Sequence, residues 1–105
     1  KDHMNLALDY DDTYTRDPEF WDQVIKLAQD RGHEVWCVTM RDGSRQEVLD
    51  TIGELIGKDH CIFTAQQAKA PFMWDLGIRI DVWIDDSPEY VIKNKRLFQG
   101  LVSSS

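Results

Sequence analysis

Three aspartates, Asp9, Asp11 and Asp12, fall within four positions directly behind the apolar run Leu6-Ala7-Leu8. A second acidic pair, Asp85-Asp86, follows another such run, Val82-Trp83-Ile84. Like charges gathered in a fold raise its energy unless something positive sits among them. Carboxylate oxygens in that number suit a hard cation. Mg²⁺ takes oxygen ligands in an octahedron, keeps several waters, and shares the remaining positions with phosphate. Two more residues have compatible chemistry. Thr39 closes the run "VWCVT" and offers a hydroxyl, and Lys69 offers a second positive charge. Each of these has an ordinary reading in isolation: an acidic turn, a strand-end hydroxyl, a surface lysine, a helix cap. Their significance lies in their order and in where the elements put them.

Residues 5–9 read as a buried strand. Asp17 can cap a helix with Pro18 at its first position, and Phe20, Trp21, Val24, Ile25 and Ala28 recur at helical spacing up to Gly32. Residues 34–39 form a second strand. Ser44 and Glu47 have the spacing of a capping box, opening a helix that carries Val48, Leu49, Ile52, Leu55 and Ile56 and closes at Gly57. Residues 60–63 read as a third strand, and Pro71 begins a third helix through about Leu76, stopped by Gly77. Residues 82–84 are a fourth strand. Ser87-Pro88 caps a fourth helix with Tyr90 and Val91 facing inward. Residues 96–102 are expected to add an edge strand and residues 103–105 a frayed tail.

Strands alternating with helices predict an α/β fold: a Rossmann-like three-layer α/β/α sandwich around a parallel sheet, with right-handed crossovers. A single domain over residues 4–102 is expected, with residues 1–3 read as an expression remnant before Met4. In such sheets ligands bind beyond the carboxyl ends of the strands. Asp9, Asp11, Thr39, Asp85 and Asp86 all fall there, and Lys69 lies in the connection leading to the fourth strand.

Bulk properties narrow the classes. The chain has 105 residues, 42% of them apolar and 30% charged, enough for one folded core. Its formal charge of −7, with no Lys/Arg cluster, disfavours extended duplex nucleic acid, though one phosphate group is compatible with a locally positive site. Cys37 and Cys61 lie inside apolar runs without C-x-x-C spacing, which fits buried thiols in a reducing cytosol better than a disulfide or zinc site. No signal peptide or membrane-length apolar run is present, so a cytoplasmic location is expected and no membrane partner. Trp21, Trp36, Trp74 and Trp83 mostly occupy apolar patterns and are expected in the core.

Together these motifs resemble the haloacid dehalogenase (HAD) superfamily. "LALDYDDT" is similar to its first motif, a hydrophobic strand followed by D-x-D-x-T, and "VWCVT" to its second. Lys69 fits the third and "VWIDDSP" the fourth. The resemblance spans Leu6 to about Asn94. Asp12 stands where the family often has Gly, and Asp tolerates a positive φ better than most residues. The resemblance implies a phosphatase chemistry. Asp9 is then the nucleophile that forms an aspartyl-phosphate, and Asp11 the acid that protonates the leaving alcohol and the base that activates water. Mg²⁺ would be held by Asp9, the backbone carbonyl of Asp11, and Asp85, with Asp86 bound directly or through water. Thr39 and Lys69 would hold the phosphate, Arg41 is a further candidate for it, and Thr13 would brace the loop.

The larger HAD enzymes insert a cap domain after the first motif or between the second and third. Residues 14–38 and 40–68 hold only a helix and a strand each, so no cap is expected and the site should be open. A large substrate or a neighbouring subunit in a homo-oligomer would then cover it. Thr39-Met40-Arg41 is similar to the second motif of polynucleotide kinase-phosphatases, which adds a polynucleotide end to small nucleotide or sugar phosphates as a substrate class. A non-catalytic module that recognises a phosphorylated partner, and phosphotransfer to an acceptor other than water, remain as alternatives.

Overall fold

The computed structural model describes residues 3–95. Its strands are β1 (Asn5–Leu8), β2 (Glu34–Thr39), β3 (Cys61–Phe63) and β4 (Val82–Ile84). They form one all-parallel sheet in the order β3-β2-β1-β4. The helices are α1 (Pro18–Asp30), α2 (Arg45–Asp50), α3 (Ile52–Ile56), α4 (Lys69–Asp75) and α5 (Glu89–Ile92). Parallel neighbours need long connections, and helices supply them here.

Alternation along each strand divides the apolar residues between two clusters. Leu8, Val35, Cys37 and Cys61 pack with Ile25 of α1, Val48 of α2, and Ile52 and Ile56 of α3, while Ile84 joins from the edge. Ala7 and Val38 instead pack with Met73 of α4, flanked by Trp36, Ile62 and Trp83. Both sets of strand positions are apolar, which is why the strands read as continuous apolar runs. Cys37 and Cys61 are direct partners in the β2–β3 register, and both are buried free thiols.

The element bounds differ from expectation in instructive places. β1 ends at Leu8, although the Asp9 amide still donates to the Ile84 carbonyl at 2.9 Å. β3 starts at Cys61, because His60 closes a 3₁₀ turn and stacks on Trp36 with ring centroids 3.9 Å apart. The expected second helix is two helices. Thr51, at φ −109° and ψ −95°, donates its hydroxyl to the Glu47 carbonyl at 2.7 Å and breaks the ladder between them. The capping box does not form: Ser44 has φ 55° and makes no side-chain cap, and Glu47 turns to Arg41 instead.

The third helix begins at Lys69, two residues before Pro71. A proline in the first turn sacrifices no helical hydrogen bond, so it does not mark the start. Neither Ser87 nor Pro88 caps α5 by side chain; the turn is closed by Asp85, whose Oδ1 accepts from the Ser87 amide at 2.9 Å. Val91 is buried as expected and Tyr90 half-buried. Trp74 is 70% exposed, not in the core, while the other three tryptophans are half-buried. The edge strand and tail expected over residues 96–105 lie outside the described residues. Among those described, no helix is long and apolar enough to cross a membrane.

Candidate functional site

Register brings the acidic motifs together. Leu8 of β1 pairs with Ile84 of β4, so the residues that follow, Asp9 and Asp85, leave the sheet side by side. Leu8 also pairs with Cys37 of β2, which sets Thr39 near the same edge. Carboxylate oxygens of Asp9, Asp85 and Asp86 lie within 4.8 Å of one another. Lys69, at the start of α4, reaches between two of them: its Nζ donates to Asp9 Oδ1 at 2.8 Å and to Asp85 Oδ2 at 2.5 Å. Lys69 is 3% exposed, so both bonds act with little solvent screening.

The loop after β1 carries the remaining motif residues. The Tyr14 amide donates to the Asp9 carbonyl at 3.2 Å, and residues Tyr14–Arg16 form a 3₁₀ turn. Asp12 adopts φ 63°, the left-handed region, which aspartate tolerates better than most residues do. Buried Thr13 is the brace. Its Oγ1 donates toward Asp9 Oδ2 at 3.3 Å or Asp86 Oδ1 at 3.2 Å, and it accepts from the Asp86 amide at 3.2 Å.

Asp11 and Arg41 are placed differently. The Asp11 carboxylate stands outside the three-carboxylate group. It accepts both Nε and Nη2 of Arg41, at 2.8 and 2.7 Å. Arg41 also donates Nη1 to Glu47 at 3.0 Å and to the Ser44 carbonyl at 3.1 Å. Its Cζ lies 5.0 Å from the centroid of the Tyr10 ring. Thr39 is 2% exposed, and its hydroxyl accepts from the Arg41 amide at 3.3 Å.

Asp9, Asp11, Asp12, Thr39, Arg41, Lys69, Asp85 and Asp86 line one pocket of about 200 Å³, together with Met40, Gln66, Ser87, Tyr90 and Lys95. Gln66 and Lys95 carry no signal in the sequence, and Tyr90 is expected there only as an inward-facing helix residue, not as part of a site. Gln66 has φ 72° directly after Ala65 at φ 53°, and its amide donates to the Met40 carbonyl at 2.9 Å. Nothing local in "TAQQAK" signals two consecutive left-handed residues without glycine. The Tyr90 ring lies 5.3 Å from Lys95 Nζ.

The electrostatics follow from burial. Desolvation pushes the Asp9 carboxyl up to about 7, outweighing the lowering pull of Lys69, while Asp85 and Asp86 push it the same way as burial. Hydrogen bonds from Arg41 hold Asp11 below the usual carboxylate range. Three carboxylates thus face one ammonium, an excess of negative charge that a divalent cation would balance. Mg²⁺ ligands at about 2.1 Å from the metal stand at most about 4.2 Å apart. Oxygens already gathered within 4.8 Å need small side-chain rotations to meet that geometry. The all-oxygen donor set fits Mg²⁺ better than zinc.

No protein-family model, curated protein or solved structure matches this chain.

Proposed function

We propose that the protein is a Mg²⁺-dependent phosphomonoester hydrolase of HAD type. In this reading it has a cap-less three-layer α/β/α fold and works through an aspartyl-phosphate on Asp9. The observation that carries the proposal is the grouping at the sheet edge. A buried nucleophile candidate is gripped by a buried lysine, and two further carboxylates from the adjacent strand end lie within 4.8 Å.

Asp9 attacks phosphorus through a carboxylate oxygen, so it reacts in its ionised form. Lys69 favours that form and balances charge on the transferred group. Thr13 holds the second Asp9 oxygen and so limits rotation of the carboxylate. Thr39, buried on the same pocket wall, offers its hydroxyl to a phosphoryl oxygen. Asp11, once released from Arg41 and protonated from solvent, gives that proton to the departing alkoxide oxygen, then takes one from the water that opens the acyl phosphate. Asp9, Asp85 and Asp86 would hold Mg²⁺, which would neutralise phosphoryl charge when bound. The reducing, cytoplasmic setting proposed for the reaction is supported by two buried thiols that are register neighbours yet unpaired.

The test is phosphate release from p-nitrophenyl phosphate with Mg²⁺. Asp9→Asn is expected to fall to background, and equal rates for the two proteins would remove Asp9 from the chemistry. A panel of phosphorylated metabolites and oligonucleotide ends then assigns the substrate class. A second reading, a module that binds a phosphorylated partner without turnover, is favoured by one observation: the Asp11 carboxylate is engaged by Arg41 and stands apart from Asp9 and its neighbours. Phosphate binding with no turnover on any panel member would select it.

A further inference from the structure

The guanidinium of Arg41 is held from two directions. Nη1 is anchored by the Ser44 carbonyl and Glu47, and the group lies over the Tyr10 ring. None of those contacts involves Asp11. The opposite edge, Nε with Nη2, is a fixed fork for two oxygens, and Asp11 fills it with both of its own. A phosphoryl group presents the same pair of acceptors to such a fork. Arg41 and Asp11 line the same pocket as Lys69 and Thr39. Their pair is open to water, with side-chain exposures of 20% and 49%, so it exchanges at modest cost.

We propose that the Nε/Nη2 edge of Arg41 is one seat with two successive occupants. Asp11 takes it in the resting protein, and phosphoryl oxygens take it on binding, freeing Asp11 for the leaving-group oxygen. The proposal rests on the phosphatase reading and couples two of its residues, Arg41 and Asp11. Arg41 thus binds the phosphoryl group directly and, until one arrives, keeps the Asp11 carboxylate parked. Because the far edge stays anchored, the fork does not have to be rebuilt when its occupant changes.

Competition predicts a binding signature that a structural role does not give. The full chain in Mg²⁺ is titrated calorimetrically with inorganic phosphate. Asp11→Asn removes the competing anion and is expected to tighten phosphate about ten-fold. Asp12→Asn makes the same charge change in the same pocket without touching Arg41, and is expected to stay within about two-fold. In an Arg41→Gln background the gain from Asp11→Asn should vanish. Equal gains from the two asparagine variants, or a gain that survives Arg41→Gln, would mean a general charge effect and overturn the shared seat. Phosphate bound by the wild type with no effect of Asp11→Asn overturns the seat alone. No phosphate binding by any variant overturns the phosphatase reading as well.

Discussion

Two ion-pair networks meet at the pocket, each built from one cation and two carboxylates. Lys69 with Asp9 and Asp85 is almost dry, with side-chain exposures of 4%, 9% and 4%. Arg41 with Asp11 and Glu47 is wet, at 20%, 49% and 56%. The bond lengths are similar, so geometry alone does not rank them. Burial does. In the dry network each charge depends on the others, because water cannot replace a lost partner. In the wet network water replaces any partner at small cost. The floor of the site is therefore a fixed scaffold and its rim an exchangeable one.

The contrast is broken most readily at Lys69. Lys69→Met leaves two buried carboxylates uncompensated and is expected to cost about 3–5 kcal/mol in chemical denaturation, part of it returned by Mg²⁺. If Arg41→Gln costs as much, the distinction between floor and rim fails. Next comes the metal. Mg²⁺ at about a hundred times its dissociation constant should add about 2.7 kcal/mol to stability, and Asp85→Asn should remove most of that gain. Its thermal-shift dependence on Mg²⁺ concentration is the check.

The pH response sharpens the same point. The folded-state value of Asp9 is raised from 3.8 to about 7 by burial, so the fold favours its protonated form. That contribution to stability is fully present below 3.8 and is lost as pH rises through about 7. In metal-free protein, wild type should therefore lose stability relative to Asp9→Asn across this window, and Mg²⁺, which in the proposed site would bind the ionised form, should oppose the loss. A constant difference between the two proteins from pH 4 to 8 would contradict the assignment. Thr13→Val, which removes the hydroxyl shared by Asp9 and Asp86, is expected to cost about 1–2 kcal/mol. Arg41→Gln comes last at under about 1 kcal/mol.

The dry network was readable from sequence because its two carboxylates follow strand ends and its lysine lies in the connection leading to the fourth strand. Once Leu8 and Ile84 are placed as neighbours, Asp9 and Asp85 have nowhere else to go. Asp12 was readable for a similar reason, since the turn needs a residue that accepts φ 63°. The wet network was only half readable. Arg41 and Asp11 were identified as site candidates, but Glu47 was not, because a capping box is a local pattern and takes no account of a guanidinium outside the helix. Glu47 met that stronger donor and left Ser44 uncapped. The break at Thr51 was missed likewise: apolar spacing continues through it, while its hydroxyl bonds back to Glu47 and lies 3.0 Å from the Tyr10 hydroxyl. Trp74 shows the limit of apolar periodicity, which marks a face without saying whether anything covers it.

The paired strands β2 and β3 carry an unplanned instrument. Cys37 and Cys61 face each other across them, with burial pushing the first thiol well above its ordinary range and the second up to about 11. An alkylating reagent attacks the thiolate and needs room to approach. At Cys37, which is 0% exposed, chemistry of that kind can proceed only when the sheet parts, so the speed at which this thiol is alkylated clocks the opening of the chain's centre, with no substitution introduced.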